Sequence, residues 1–219
     1  MTSEPTAFLY PFIEADERDP SPLLVDLAAS ARAKMVASVA LRETTLKRYG
    51  PSLAQVGRAL AARFRTGGRL FAFGNGGSAT DAEGTVDLFR HPPHGVALPA
   101  MSLVDDRAVL TALANDVGFD LVFSRQLIAH AQPMDMVVGL STSGGSANVL
   151  AAFEEAAHLG LCTVGLCGYE GGAMAVSDTV DHCFVVRSDS VHRIQETQDA
   201  VVFALWGAVQ QAMSEGTAA

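Results

Sequence analysis

The chain has 219 residues, of which 49% are hydrophobic and 18% charged, enough apolar material for one domain with a sizeable core and an appendage. Acidic residues outnumber basic ones by 24 to 15, the formal charge is −9, and no basic cluster occurs, which excludes nucleic acid as a direct ligand. The three cysteines, Cys162, Cys167 and Cys183, lie in apolar, strand-like contexts; buried free thiols in a reducing cytosol are expected there rather than a metal site or a disulfide.

Residues 1–20 join the apolar Phe8-Leu9-Tyr10-Pro11-Phe12-Ile13 to a polar run ending at Pro20, and read as an irregular arm whose aromatics dock on a neighbouring surface. No basic region precedes an apolar run, so the segment is not a signal peptide, and no stretch reaches the ~18 apolar residues of a membrane span. A cytoplasmic location with no membrane contact is expected. Ser21 and Pro22 open a helix on which Leu23, Leu24, Leu27, Ala28, Ala31, Met35, Val39 and Leu46 recur at helical spacing. Tyr49-Gly50-Pro51 is expected to end it. Ser52 starts a second helix with Leu53, Val56, Leu60 and Phe64 on one face, closed by Thr66-Gly67-Gly68.

From there strands and helices alternate. The expected strands are Leu70–Phe73, Ala97–Leu103, Met136–Leu140, Cys162–Leu166 and Cys183–Val186. The expected helices are Ala79–Leu88, Arg107–Ala114, Phe119–Ala129, Ala147–His158 and Ile194–Met213, with a turn at Asn115-Asp116 and a frayed tail from Ser214 to Ala219. This alternation predicts an α/β fold, an open, doubly wound parallel sheet of five strands with an N-terminal helical extension.

Two strand–turn–helix junctions carry the chemistry. In the first, Met136–Leu140 runs into Ser141-Thr142-Ser143-Gly144-Gly145-Ser146 and then a helix. A helix N-terminus has unpaired N–H groups and partial positive charge, the glycines admit close backbone approach, and the hydroxyls add donors; together they form a phosphate cradle. No lysine follows the glycines, so this is not a nucleotide-binding loop of the G-x-x-x-x-G-K-[ST] kind. In the second, Leu70–Phe73 runs into Gly74-Asn75-Gly76-Gly77-Ser78. Two such turns at strand carboxyl ends predict one shared crevice with Asn75, Gly76, Gly77, Ser78, Ser141, Thr142, Ser143 and Ser146 as its binding residues. Helix capping is the alternative for the hydroxyls, turn geometry for the glycines, and a left-handed backbone or a bond to ligand for Asn75.

Four words in order, GNGGS at Gly74–Ser78, AND at Ala114–Asp116, STSGGSANV at Ser141–Val149 and RIQE at Arg193–Glu196, resemble the sugar isomerase (SIS) domain superfamily, and within it the phosphoheptose isomerases. The resemblance covers the chain from about Leu70 to the C-terminal helix. It implies a flavodoxin-like strand order and a phosphorylated sugar, sedoheptulose 7-phosphate, bound at the serine-rich turn. It also implies a homo-oligomer, most simply a tetramer, built through the N-terminal helix, so that residues 1–50 form an arm and oligomerisation helix and residues 51–219 the phosphosugar domain. Asp105 and Asp106 follow an expected strand, where carboxylates face the crevice; Asp106 matches an acidic position near the family's active site or caps the next helix. Gln195 matches a substrate-contacting glutamine close to the family's metal. Glu196 and Arg193 are available for chemistry or for ion pairs, with an ion pair the expectation for Arg193.

The chain departs from the family where zinc binds. Zinc-binding phosphoheptose isomerases carry His and Glu four residues apart after GNGGS and a further His eight residues after the glutamine; here those positions are Gly84, Leu88 and Phe203, which offer no ligand atom. No metal or other cofactor is therefore expected. Candidate bases are Asp106, Glu196, Glu83 and Asp87, the last two sharing a helix face, with Gln195 positioning a sugar oxygen. Asp199 shares Gln195's face, and His91 and His94 lie in a proline loop as solvent-exposed side chains or a relocated metal site. Two functions stand: an aldose–ketose isomerase with an altered centre, or a non-catalytic phosphosugar sensor or assembly protein with a protein partner. A phosphosugar lyase or deaminase has no motif to support it.

Overall fold

The computed structural model describes residues 21–215; the aromatic arm and residues 216–219 of the tail lie outside the described residues, while Ser214 and Glu215 end a helix. Of the described residues, 21–39 fall in one compact unit and 40–215 in another. The elements run α1 (Ser21–Arg65), β1 (Leu70–Gly74), α2 (Gly77–Arg90), β2 (Ala100–Ser102), α3 (Arg107–Asp116), α4 (Val122–His130), β3 (Met136–Ser141), α5 (Ala147–His158), β4 (Cys162–Gly168), β5 (His182–Val186) and α6 (Val191–Glu215). Short 3₁₀ turns occupy Phe119–Leu121 and Met174–Val176.

The five strands form one parallel sheet in the order β2-β1-β3-β4-β5. Every residue of β1, β3 and β4 is buried, as expected for strands covered on both faces. Side chains alternate between two cores. Leu70, Ala72, Met136, Val138 and Leu140 face α2, α6 and the second half of α1, where Trp206, Leu205, Val56 and Leu60 complete the layer. Phe71, Phe73 and Val137 face the other way, onto Phe123 and Leu127 of α4 and Phe153 of α5, with the Phe73 ring 5.3 Å from that of Phe123. At the amino edge of the sheet Asp135, 1% exposed, accepts from the backbone N–H groups of Arg69 (2.7 Å) and Gln132 (2.8 Å) and pairs with the Arg69 guanidinium (3.0 Å), so its buried charge is fully met.

Several expected boundaries are corrected. Gly50-Pro51 does not break the first helix, which continues to Arg65 with Pro51 inside it. The lost backbone bond is outweighed by anchoring on both sides: the Tyr49 hydroxyl accepts from Val185 N–H (3.2 Å) with its ring edge-on to Phe184, and Leu53, Val56 and Leu60 are buried beyond. The second strand is only Ala100–Ser102, because the residues before it bond elsewhere: Leu98 N–H to the Phe89 carbonyl and Val96 to both amide atoms of Gln210 on α6. Asn115-Asp116 is the last turn of α3 rather than a separate turn, and the helix expected over Phe119–Ala129 begins as a 3₁₀ turn before α4. The helices α2 and α6 begin earlier than expected and end later, at Gly77–Arg90 and Val191–Glu215. No helix among the described residues is long and apolar enough to cross a membrane.

Helices α1 and α6 approach backbone to side chain at Gly57, where an added Cβ would meet the Cβ and backbone carbon of Ala208 at 2.5 and 2.8 Å. Overpacking of this kind typically costs about 1–3 kcal/mol. Gly57→Val is accordingly expected to lower the melting temperature by several degrees while leaving ligand binding in the surviving fold unchanged, as calorimetric melting and titration will show.

Candidate functional site

The strand order reverses between β1 and β3, so the connections leave this pair toward opposite sides and open a crevice at their carboxyl ends. Both serine- and glycine-rich turns lie there. Gly74 at the end of β1 is in register with Leu140, and β3 ends one residue later at Ser141. A cavity of about 280 Å³ is lined by Asn75, Ser78, Ser141, Thr142, Ser143, Ser146, Tyr169 and Val191.

Neither helix entering the crevice is capped by a side chain. Gly76 precedes α2 with φ 57°, and the Ser146 side chain at the N-cap of α5 makes no capping bond. The Ser146 hydroxyl instead meets that of Ser141 at 2.9 Å, and Ser141 lies 3.5 Å from Ser143, which accepts from Gly145 N–H. Capping alone therefore does not account for the serines: the hydroxyls form a connected set, and the first-turn N–H groups of two helices remain without a side-chain partner. Partial positive charge converges on a hydroxyl-lined hollow, the chemistry of an anion site.

Asn75 is not in a left-handed conformation, since its φ is not positive; the positive φ of this turn falls at Gly76. Its amide donates to Asn148 Oδ1 at 2.8 Å, and the Asn148 amide returns a bond to Asn75 Oδ1 at 2.9 Å. Asn148 lies in the first turn of α5 and is 2% exposed. The pair thus clasps the two turns together. A Cβ on Gly77 would meet the side-chain amide of Gln195, so Gln195 of α6 lies against the first turn of α2.

The candidate acid–base residues are dispersed. Asp106 caps α3, accepting from Val109 N–H at 3.0 Å. Asp105, Glu83 and Asp87 line a second cavity of about 330 Å³ with His91, Arg90 and Arg107, away from the serines; Glu83 and Asp87 do share a face there. The ion pair expected at Arg193 falls instead to Glu196, whose carboxylate meets Arg42 at 3.1 Å, whereas Arg193 has no ion pair among the described residues. His91 bonds Asp87 at 2.8 Å and His94 packs edge-on to Trp206. Among the described residues no three His, Cys, Asp or Glu side chains converge to hold a metal ion. Gly84 faces open space, Leu88 packs against the core, and the Phe203 ring lies 5.1 Å from Trp206. Cys162, Cys167 and Cys183 carry free thiols.

Among the carboxyls near the crevice, a clear electrostatic perturbation falls on a residue with no motif to mark it. Asp81, one turn into α2 from Gly77, has its carboxyl pushed up to about 6, first by burial and then by the negative charge of Asp199. Its Oδ2 is buried without a hydrogen-bond partner among the described residues. Asp199 is itself raised by burial and by Glu196, against a lowering by Arg42. Asp81 is four residues from Gly77 and Asp199 four from Gln195, so the two carboxyls lie one helical turn below the contact between α2 and α6. Their proximity depends on packing, and only Asp199's place on Gln195's face is visible in the sequence. Asn148, Tyr169 and Val191 were missed as well; Asn148 sits within the STSGGSANV word and is the one that a motif-based reading had within reach.

An open parallel sheet whose switch-point turns join serine hydroxyls to two uncapped helix N-termini defines an anion-binding α/β protein of the flavodoxin-like class. The SIS domain family model matches residues 21–168, and the chain belongs to the SIS domain family, in its phosphoheptose isomerase branch. It is 40% identical over 183 residues to a phosphoheptose isomerase of Roseiflexus sp., spanning 82% of this chain and 91% of that one. Over 165 residues it is 42% identical to a phosphoheptose isomerase of Rhodospirillum rubrum, with 74% and 87% covered. The solved structure of phosphoheptose isomerase GmhA from Neisseria gonorrhoeae superposes with a TM-score of 0.78 at 31% identity, over 84% of this chain and 99% of that one.

The raised Asp81 carboxyl makes a directional prediction. The folded protein holds this proton up to about pH 6, while the unfolded chain releases it near 3.8, so folding takes up a proton between these values and the stability contributed by Asp81 falls as pH rises through that window. Asp81→Asn removes the effect. Its melting temperature is expected to exceed the wild-type value above pH 6, with the gap closing toward pH 4; a gap that does not vary with pH contradicts the assignment.

Proposed function

We propose that the protein binds a phosphorylated sugar in the hydroxyl-lined crevice and acts as an aldose–ketose isomerase of the phosphoheptose isomerase kind, with sedoheptulose 7-phosphate as its substrate. One observation carries the binding half: two uncapped helix N-termini meet five serine and threonine residues in one cavity at the sheet's switch point. The relatives named above support the identity of the sugar. A chain of net charge −9 must bind an anion locally, and the dipoles and N–H groups of the turns supply that.

Isomerisation moves a proton between adjacent carbons through an enediolate, and requires a base, an acid at the carbonyl oxygen and stabilisation of the developing charge. The residues present do not fit the family's zinc, because Gly84, Leu88 and Phe203 carry no donor atom. The proton must then be handled by a carboxyl of this chain. Asp81 is favoured because its raised pKa keeps both protonation states available near neutrality, and Gln195 is positioned beside the crevice to hold a sugar oxygen. The loss of the family's donors favours a second reading, a non-catalytic phosphosugar sensor or assembly protein.

The same proposal includes a cytoplasmic homotetramer assembled through α1. Leu23, Leu24, Leu27, Met35, Val36 and Val39 are all exposed on that helix, an apolar set that a further copy of the chain would cover. Light scattering at micromolar concentration is expected to give a tetramer, and a monomer would exclude this assembly.

Ser143→Ala with Ser146→Ala is expected to weaken sedoheptulose 7-phosphate binding by about tenfold or more, since a hydrogen bond to a charged group contributes ~1.5–3 kcal/mol. Unchanged calorimetric affinity would remove the serines from the site. In a coupled assay turnover is expected to be slow or absent without added metal; binding without turnover selects the sensor, whereas rates of ~1–10³ s⁻¹ select the isomerase. Zinc present in stoichiometric amount, and lost together with function, would overturn the carboxyl-based account.

A further inference from the structure

Tyr169 is the only residue other than glycine with positive φ among those described, at 51°. A tyrosine in that region carries a steric cost that glycine does not, and such strain persists only where surrounding structure imposes it. Here it is imposed by the phosphate turn itself. The segment after β4 is stitched to the serine-rich turn at both ends: Gly168 N–H donates to the Thr142 carbonyl (2.9 Å) and Met174 N–H to the Gly144 carbonyl (2.8 Å). Between these bonds Gly171 N–H closes a turn onto Gly168 (2.8 Å), and beyond Tyr169 the Glu170 carboxylate is paired with Arg187.

The strained backbone delivers the Tyr169 side chain to the crevice, where it and Val191 line the wall beside the serines. Among the described residues the Tyr169 hydroxyl has no hydrogen-bond partner and its ring no aromatic contact, and the side chain is not part of either core. Its exposure is 38% and that of Val191 41%. The cavity is therefore polar at the serines and has an aromatic and an aliphatic surface at its lip. A phosphate group alone has no use for an apolar lip; the carbon chain of a sugar attached to it does.

We infer that Tyr169 is a specificity-determining residue of the crevice, contacting the sugar portion of the ligand while the serine-rich turn holds its phosphate. The inference rests on the phosphosugar reading above and goes beyond it by assigning the sugar-recognition wall. Because the backbone conformation at 169 suits glycine, Tyr169→Gly removes the side chain and the strain together. A purely structural tyrosine predicts a variant at least as stable as wild type with unchanged binding. A specificity residue predicts a variant at least as stable with weakened binding of the sugar alone.

The test is calorimetric titration of the full chain with sedoheptulose 7-phosphate and, separately, with inorganic phosphate. For Tyr169→Gly the sugar phosphate is expected to bind about tenfold more weakly, inorganic phosphate within about twofold of wild type, and the melting temperature to hold or rise. Tyr169→Asn, which also tolerates the left-handed region, repeats the test with a different side chain. Equal affinity of wild type and both variants for the sugar phosphate overturns the assignment. So does an equal loss for both probes, which would make Tyr169 a support of the phosphate turn. A wild-type protein that binds neither probe overturns the phosphosugar reading itself, and this assignment with it.

Discussion

The reciprocal amide bonds between Asn75 and Asn148 tie the site together. The two turns that build the crevice follow different strands, are separated by more than sixty residues of chain, and converge because their strands are neighbours in the sheet. Parallel pairing sets the strands side by side but leaves the turns beyond them free to splay. A two-way amide pair, nearly sealed from solvent on the Asn148 side, fixes their separation. It also explains why a polar side chain is buried in the first turn of α5: removing either partner would leave the other's donor and acceptor unmet, at about 1–3 kcal/mol. That bond pair holds the two turns at a fixed separation.

Most of the architecture was readable because the signals were periodic. Apolar runs such as Met136–Leu140 are too short for helices and too uniformly apolar for half-exposed strands, and they became buried parallel strands. The words GNGGS and STSGGS announced the crevice because backbone freedom and hydroxyl chemistry are written locally. Where the reading failed, a distant contact prevailed over a local rule. Pro51 is a breaker by its own chemistry, yet Tyr49 and Leu53 hold the helix on either side of it. The second strand is shorter than Ala97–Leu103 because nothing in the local sequence announces that the Phe89 carbonyl of α2 takes the Leu98 N–H. The acid–base residues show where local reading stops. A strand's carboxyl end points to Asp105 and Asp106 and a shared helix face to Glu83 and Asp87, whereas Asp81 acquires its perturbation through burial and through α2 packing beside Asp199, neither of which is written locally.

The electrostatics of the site are divided between two depths. At the mouth, helix dipoles and neutral hydroxyls favour negative charge without contributing a formal positive one. One turn below, burial raises the pKa of both Asp81 and Asp199, with the Asp199 charge adding to the first shift and the Glu196 charge to the second. Above its raised pKa the partly buried Asp81 carboxylate is costly for stability.

The interlock of the two glycine turns also limits how this scaffold can change. Gly144 and Gly171–Gly172 touch backbone to backbone, all three at positive φ, and a Cβ on Gly144 or Gly172 would collide with the opposing main chain. Neither loop has a shape independent of the other. Grafting the serine-rich turn of a relative into this chain, or the segment after β4 alone, would set a foreign backbone against a surface with no slack for it. The two segments form a single transplantable module despite their separation along the chain, and recombination that divides them will yield mismatched crevices even where each parent folds.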